Sequence, residues 1–203
     1  YFKVIVLEDD IVTNKNFIKF MSRSLNYYEK HDHIGTITGY SFIDLDKNYP
    51  HLIYLSQRHA SWGWATWKNR WDKINWSKEW IQKHINKKNF KKKFNSGGND
   101  LFHMLNLQLQ NKIDSWAIIY NMNQYINESY CLCPKMSLVN NIGLDGTGVH
   151  CKKNDEVFSN FNPDFDINYY EDIKVDEKIK KKIYKSFQTP LYVRIINKFK
   201  SIF

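Results

Sequence analysis

The chain opens on a short apolar run, residues 1–7 (YFKVIVL), which is rich in β-branched residues. This run predicts a buried strand, and we expect it to be parallel to its neighbours. Three acids, Glu8, Asp9 and Asp10, follow it directly. After Asn14, which is suited to cap a helix, apolar residues recur at helical spacing. The acids are therefore predicted at the carboxyl end of a strand and before a helix, where open α/β sheets bind ligands.

Further strands and helices are predicted along the rest of the chain. Strand patterns occur at residues 34–40 and 52–55, and another ends at 131–134. Helical patterns occur at residues 80–94 and 100–111, and one or two lie within 175–203. The aromatic stretch 59–76 predicts a loop with Gly63 at its turn and then a short helix. Residues 138–150 contain three glycines and predict a mobile loop.

Composition and charge narrow the class of protein. Hydrophobic residues make up 42% and aromatic residues 16% of the 203 residues, so the chain folds, with one domain as the default. The net charge of +9 suggests an anionic partner. Lysines cluster at residues 87–93 and near the C-terminus, and each cluster is either a solvated face or a binding surface. Nucleic acid is not expected, because the lysines are separated from the aromatic block.

Three cysteines, Cys131, Cys133 and Cys151, favour a reducing, cytoplasmic compartment over a secreted disulfide scaffold. With His150 they mimic a zinc set, but a spacing of one residue is poor for structural zinc, so we interpret them as structural. No segment reaches the roughly 18 apolar residues of a membrane span. Residues 178–203 interleave basic and apolar side chains, which predicts either peripheral association with an anionic membrane or a helix packed on its own domain.

The acidic triplet is the clearest chemical signal. Three adjacent carboxylates repel one another, and a cation relieves that repulsion. Mg²⁺ or Mn²⁺ takes oxygen ligands and shares them with a diphosphate. The alternative is an acidic turn that is neutralised by neighbouring lysines. Because the triplet lies between a strand and a helix, we predict a metal site.

The run VIVLEDDIVTNKNFIKFM, residues 4–21, resembles the acidic strand of GT-A glycosyltransferases, in particular the Golgi N-acetylglucosaminyltransferases that begin hybrid N-glycans. Residues 61–64 (SWGW) are similar to the Gly-Trp segment of that family, and residues 114–116 (DSW) to its Asp-Asp-Trp segment. Residues 134–150 resemble the loop that closes over the donor. The string WGWATW is similar to bacterial surface-polysaccharide transferases.

This resemblance implies an α/β fold, the C-terminal portion of a GT-A domain, in which helices flank a mixed sheet. Residues 1–153 would form the catalytic portion, and residues 154–203 a polar linker and a basic helical tail. A strand that begins at the first residue is typical of a fragment, so we expect the upstream nucleotide-binding part to be missing. The implied reaction is inverting transfer of a sugar from a nucleotide-sugar, such as a UDP-sugar, to a saccharide or lipid-linked acceptor, with Mn²⁺ or Mg²⁺ as cofactor.

The resemblance also implies residue roles. Asp10 would bind the metal, Asp9 the ribose, and Glu8 the donor sugar or its own turn. Asp114 would be the base that deprotonates the acceptor, although Ser115 stands where the family has a second Asp. Asp100, which follows two glycines, is the alternative base, and Glu128 is a third candidate.

Other residues are expected around the donor. Trp62, Trp64 and Trp67 would either stack on sugar rings or fill the core. Gly146 and Gly148 belong to the expected lid, and His150 is a second candidate metal ligand. Two competing functions remain: a nucleic-acid-binding or phosphodiester-processing basic domain, and a noncatalytic carbohydrate-binding module. Only the transferase requires a metal to bind a nucleotide diphosphate.

Overall fold

The computed structural model describes residues 1–143 and 160–188, which contain seven strands. The strands are β1 (Lys3–Val6), β2 (Ile11–Thr13), β3 (Ile34–Thr38), β4 (Ile53–Ser56), β5 (Trp64–Trp67), β6 (Tyr130–Pro134) and β7 (Val139–Asn141). Five of them form a mixed sheet in the order β1-β5-β3-β6-β4, and β2 and β7 form a separate pair. Within the sheet only β3 and β6 are parallel, and the other pairs are antiparallel.

Seven α-helices surround the sheet in the described part of the chain. They are α1 (Phe17–Tyr27), α2 (Lys68–Trp71), α3 (Lys78–Ile85), α4 (Phe90–Phe94), α5 (Leu101–Leu109), α6 (Trp116–Ile126) and α7 (Glu177–Ser186). Short 3₁₀ turns follow α1 and α4. The prediction of an α/β fold in which helices flank a mixed sheet is confirmed.

The two faces of the sheet are covered by different helices. Trp67 donates its indole N–H to the carbonyl of Leu25 in α1 at 2.9 Å, whereas the hydroxyl of the preceding residue, Thr66, lies 3.3 Å from that of Tyr120 in α6. Consecutive strand residues point to opposite faces. Helix α1 therefore covers one face and α6 the other, so the molecule has three layers.

The last described segment packs on both sides of this sheet. Asn14 donates its amide to the carbonyls of Asn162 and Phe165 at 2.9 and 3.0 Å, which ties residues 160–175 to the start of α1. Helix α7 buries Ile179 and Ile183 in a cluster with Cys131 and Cys133, whereas Leu132 between the cysteines packs in the core under α1. Helix α7 therefore lies on the same face of the sheet as α6.

Two local predictions were wrong. The first strand is antiparallel to β5 and pairs with no other described strand, so Val4 remains 45% exposed instead of buried. The residue that caps α1 is Asn16, and Asn14 instead accepts the backbone N–H of Asn16 at 3.0 Å. Strand β2 also separates the acids from α1, which the sequence pattern did not indicate.

The aromatic stretch and the region after it also differ from expectation. A loop was predicted at residues 64–67, but they form β5, the second strand of the sheet, and the four positions are all buried. Burial on both faces removes the alternation that identifies a strand. The helix predicted over residues 80–94 is two helices, α3 and α4, separated at Asn89, whose φ is 64°. Helix α6 was not predicted, because buried amides such as Asn121 and Asn123 interrupt its apolar pattern.

In residues 1–143 and 160–188, no helix combines the length and the apolar character that crossing a bilayer requires.

Candidate functional site

The acidic triplet lies in the turn between β1 and β2. The carbonyl of Glu8 accepts the backbone N–H of Ile11 at 3.2 Å, which closes this turn. Strands β1 and β3 are both antiparallel to β5, and Val6 and Thr38 lie opposite the same residue, Trp64. The carboxyl ends of β1 and β3 therefore lie side by side at one end of the sheet. In open α/β sheets, ligands bind just outside the carboxyl ends of the strands.

Asp10 is held against the strand that returns at β7. Its carbonyl accepts the N–H of Ile142 at 2.9 Å, and the N–H of Gly143 donates to Asn141 Oδ1 at 2.8 Å. A Cβ atom on Gly143 would lie 2.5 Å from Asp10 Oδ2, so only glycine allows the backbone to approach this carboxylate so closely. The contact between residues 10 and 143 defines where the carboxylate points.

One oxygen of this carboxylate is buried without a partner. Among the described residues, Asp10 Oδ1 has no hydrogen-bond donor. Buried carboxylate oxygens are normally paired, because leaving one unpaired is costly. Within residues 1–143 and 160–188, no group of three or more His, Cys, Asp or Glu side chains is placed to hold a metal. The unpaired oxygen makes Asp10 a candidate ligand for a cation, whose other ligands would have to be phosphate and water oxygens.

Glu8 faces the aromatic side of the site. Partial burial of its carboxyl raises its pKa, and the negative charge of Asp10 raises that pKa further. A hydrogen bond from the Ser61 hydroxyl and the proximity of His59 act in the opposite direction. Asp9 is exposed. The three acids thus have different surroundings: Asp10 is half-buried with one buried oxygen beside a glycine, Glu8 faces an aromatic cluster, and Asp9 is in solvent.

The aromatic cluster beside Glu8 contains a histidine that sequence reasoning missed. The His59 ring lies 5.2 Å from the ring of Trp64 and 5.6 Å from that of Trp116, and Trp64 and Trp116 are 5.2 Å apart. His59 Nε2 and Trp64 Nε1 are both buried and have no partner among the described residues. His59 and Trp64 are only 7% and 3% exposed, so they form the floor of the site and not its surface.

The three tryptophans expected to stack on sugars are therefore placed differently from one another. Trp67 is 2% exposed and belongs to the core under α1, as the alternative expectation had it. Trp62 is partly buried, with its ring 4.7 Å from that of Tyr40. Trp64 is buried, and its ring contacts that of His59 in the floor of the site.

Two other tryptophans provide the exposed aromatic surface. Trp71 and Trp76 are 41% and 39% exposed and their rings are 5.4 Å apart. Trp71 also stacks on Trp64 at 6.1 Å. The buried amide of Asn123 holds the backbone N–H and carbonyl of Asn75 at 2.8 and 3.0 Å, which positions the adjacent Trp76. A continuous line of rings therefore connects the surface to the floor beside Glu8.

This surface had a signal in the sequence. Trp71 and Trp76 lie among charged and polar residues, KNRWDKINWSK, where an apolar ring has no periodic reason to be buried. The tryptophans predicted to stack on sugars were instead those nearer Gly63, namely Trp62, Trp64 and Trp67.

The candidate bases are separated by the structure. Asp114 is exposed and lies two residues before Trp116, whose ring borders the floor of the site. Asp100 is held by Arg58 through two hydrogen bonds of 2.9 and 2.6 Å, so both of its oxygens are engaged. Glu128 follows the far end of α6, about 16 Å along the helix from Trp116. Of the three acids, Asp114 is the one that is both near the floor and accessible.

Several predicted features lie outside the described residues. These are Cys151, residues 144–150 of the expected lid with Gly146, Gly148 and His150, and the tail beyond residue 188. In the described part of the expected lid the loop prediction was wrong, because Val139–Asn141 form β7 and pair with β2. Cys131 and Cys133 are fully buried free thiols, and burial raises the pKa of Cys133.

The chain matches no protein-family model, and a comparison with curated proteins gives no significant match.

Proposed function

We propose that this chain is the catalytic portion of a GT-A glycosyltransferase that moves a sugar from a nucleotide-sugar to a saccharide acceptor with the help of Mn²⁺ or Mg²⁺. The observation that carries the proposal is the buried, unpaired oxygen of Asp10 at the carboxyl end of β1, pressed against Gly143. Asp10 would hold a divalent cation there, and the cation would supply positive charge to the leaving diphosphate.

The residues around Asp10 have complementary roles in this proposal. Glu8 borders the donor sugar, since its carboxyl interacts with Asp10 on one side and with Ser61 and His59 of the aromatic stretch on the other. Asp9, in solvent, reaches the ribose. Asp114 accepts the proton of the acceptor hydroxyl while that oxygen bonds to the anomeric carbon and the nucleotide diphosphate leaves. The expected result is inversion at that carbon.

The acceptor saccharide lies on Trp71 and Trp76 in this proposal. Their exposed faces suit the apolar faces of sugar rings. Trp76 contacts Trp71, and Trp71 stacks on Trp64, whose ring contacts His59 near Glu8, so a saccharide bound there would lie toward the acids. The same surface also favours a second candidate, a noncatalytic carbohydrate-binding module. Such a module has no use for a metal-dependent nucleotide site.

The buried, reduced cysteine pair is compatible with the cytoplasmic compartment that the proposal includes, where a nucleotide-sugar donor and a lipid-linked acceptor at the membrane face would both be accessible.

Calorimetry of UDP binding with Mn²⁺ and with EDTA tests the proposal. We expect the native chain to bind UDP only with the metal and Asp10→Ala to lose that dependence. Asp72→Ala removes another acid, an exposed one near Lys68, and serves as the matched control that retains binding. Saccharide binding without any metal-dependent UDP binding would favour the carbohydrate-binding module. Equal UDP affinity in Asp10→Ala and the native chain would refute the metal assignment.

A further inference from the structure

Two lysine clusters that are far apart in the sequence are adjacent in the structure. The 3₁₀ turn Asn95–Gly97, which directly follows α4, packs against α7. Ser96 and Gly97 line a small cavity together with Lys180 and Ile183 of α7. Ser96 also donates to the carbonyl of Lys93 at 2.6 Å, which joins the end of α4 to this contact. The turn that ends the basic segment 87–93 therefore contacts α7, which carries the second basic segment, 178–185.

Apart from Lys180, the lysines of both segments are exposed. Phe90 and Phe94 anchor α4, and Ile179 and Ile183 anchor α7, so the remaining positions of each helix are outward. We call the exposed set the lysine surface. It consists of Lys87, Lys88, Lys91, Lys92, Lys93, Lys178, Lys181, Lys182 and Lys185.

The acids near the lysine surface, which include Asp44 beside Lys182, are fewer than its nine lysines. Glu177 pairs with Lys180 at 3.3 Å, and Asp176 accepts backbone N–H groups at the start of α7. Asp100 is held by Arg58. Glu128 borders the same shallow pocket as Lys93 and offsets one charge at the rim. Charges within about 8 Å of one another act together at physiological salt. Because the turn after Lys93 packs against α7, we expect the two clusters to attract an anion as one surface.

We propose that the lysine surface binds the anionic surface of a membrane. Its cations are all lysines, whose compact ammonium groups attract many anions without binding one in a fixed geometry. It contains no arginine, whose planar guanidinium group makes paired hydrogen bonds to a single phosphate. The exposed tryptophan pair, Trp71 and Trp76, is on other elements, whereas nucleic-acid binding sites interleave basic and stacking residues. Clusters of this size are typical of binding to acidic lipid headgroups. This inference does not depend on sugar transfer.

Vesicle co-sedimentation of the full chain tests it, with phosphatidylcholine alone and with phosphatidylcholine mixed with phosphatidylserine. One triple variant changes Lys88, Lys91 and Lys92 to Gln, and a second changes Lys178, Lys181 and Lys185. A control triple changes Lys15, Lys19 and Lys68 to Gln. Lys19 is in α1 and Lys15 lies just before it, on the opposite face of the sheet. All three control lysines are paired with acids. The three variants lose the same formal charge.

We expect each test triple to weaken binding to the anionic vesicles on the order of a hundredfold, and the control far less, since each lysine near the surface contributes about fivefold. Lysine-to-arginine versions of the test triples keep the charge and should retain binding, which separates charge from folding. Unchanged vesicle binding in the triple variant of Lys88, Lys91 and Lys92 would overturn the proposal that the two clusters act as one surface. Equal binding to neutral vesicles, or tighter binding of single-stranded RNA that the same triples abolish, would overturn the lipid assignment.

Discussion

Replacement of Gly143 by alanine is the sharpest test of the acidic site, because it moves a carboxylate without removing it. The added Cβ would lie 2.5 Å from Asp10 Oδ2 and 3.0 Å from Asp10 Cβ. Ordinary contacts of this kind begin near 3.4 Å. The backbone on both sides is fixed by the hydrogen bonds of Ile142 and Gly143, so we expect the carboxylate to move.

The expected displacement of Asp10 Oδ2 is about 0.9 Å, the difference between an ordinary contact of 3.4 Å and the 2.5 Å that the added Cβ would have. Metal–oxygen distances tolerate only about 0.2 Å of error, and a misplacement of about 1 Å at a reacting centre costs on the order of a hundredfold in rate. We therefore expect Gly143→Ala to lower metal-dependent turnover of a nucleotide-sugar about a hundredfold, and to weaken Mn²⁺-dependent UDP binding measured by calorimetry.

Gly35→Ala is the matched control, since its Cβ would also crowd polar side chains, at 2.8 Å from Ser129 Oγ, but at the other end of β3 from the acids. It should lose thermal stability and retain UDP affinity per folded molecule. If Gly143→Ala keeps the native Mn²⁺-dependent affinity and turnover, Asp10 is not a ligand in the orientation described here.

Three further outcomes are expected. Asp114→Asn should lower turnover of the nucleotide-sugar about 10²- to 10⁴-fold with UDP affinity unchanged, whereas an equal loss of both would assign Asp114 a structural role. Trp76→Ala should weaken saccharide binding in a fluorescence titration while Trp76→Phe retains part of it; Trp80→Ala, whose ring contacts His84, should leave it unchanged. In EDTA at pH 7, Glu8→Gln should raise thermal stability slightly, by less than about 1 kcal/mol because the carboxyl is partly solvated.

The sign of the Glu8 effect follows from its raised pKa. Between its ordinary value of 4.5 and the higher folded value, the folded chain holds more protons than the unfolded chain. Stability therefore falls as pH rises through this window and stays lower above it. The advantage of Glu8→Gln should disappear at pH values below about 4, and an advantage that is constant with pH would contradict the electrostatic explanation.

Local sequence patterns determined much of the scaffold. Neighbouring residues alone decide the β-branched run of residues 3–6 and the helical spacing of Phe17, Phe20 and Met21. The placement of three acids at the end of a strand follows from the same kind of information, because strand and helix periodicities are local. The sequence alone therefore determined which part of the chain carries the candidate chemistry.

Long-range contacts decided the rest. Only the chain path shows that β1 is antiparallel to β5, that Gly143 presses on Asp10 and that Arg58 engages Asp100. The two lysine clusters are separate in the sequence and adjacent in the structure for the same reason. Pairing between distant segments depends on which surfaces bury the most apolar area together, a property of the whole core that no local window of the sequence contains.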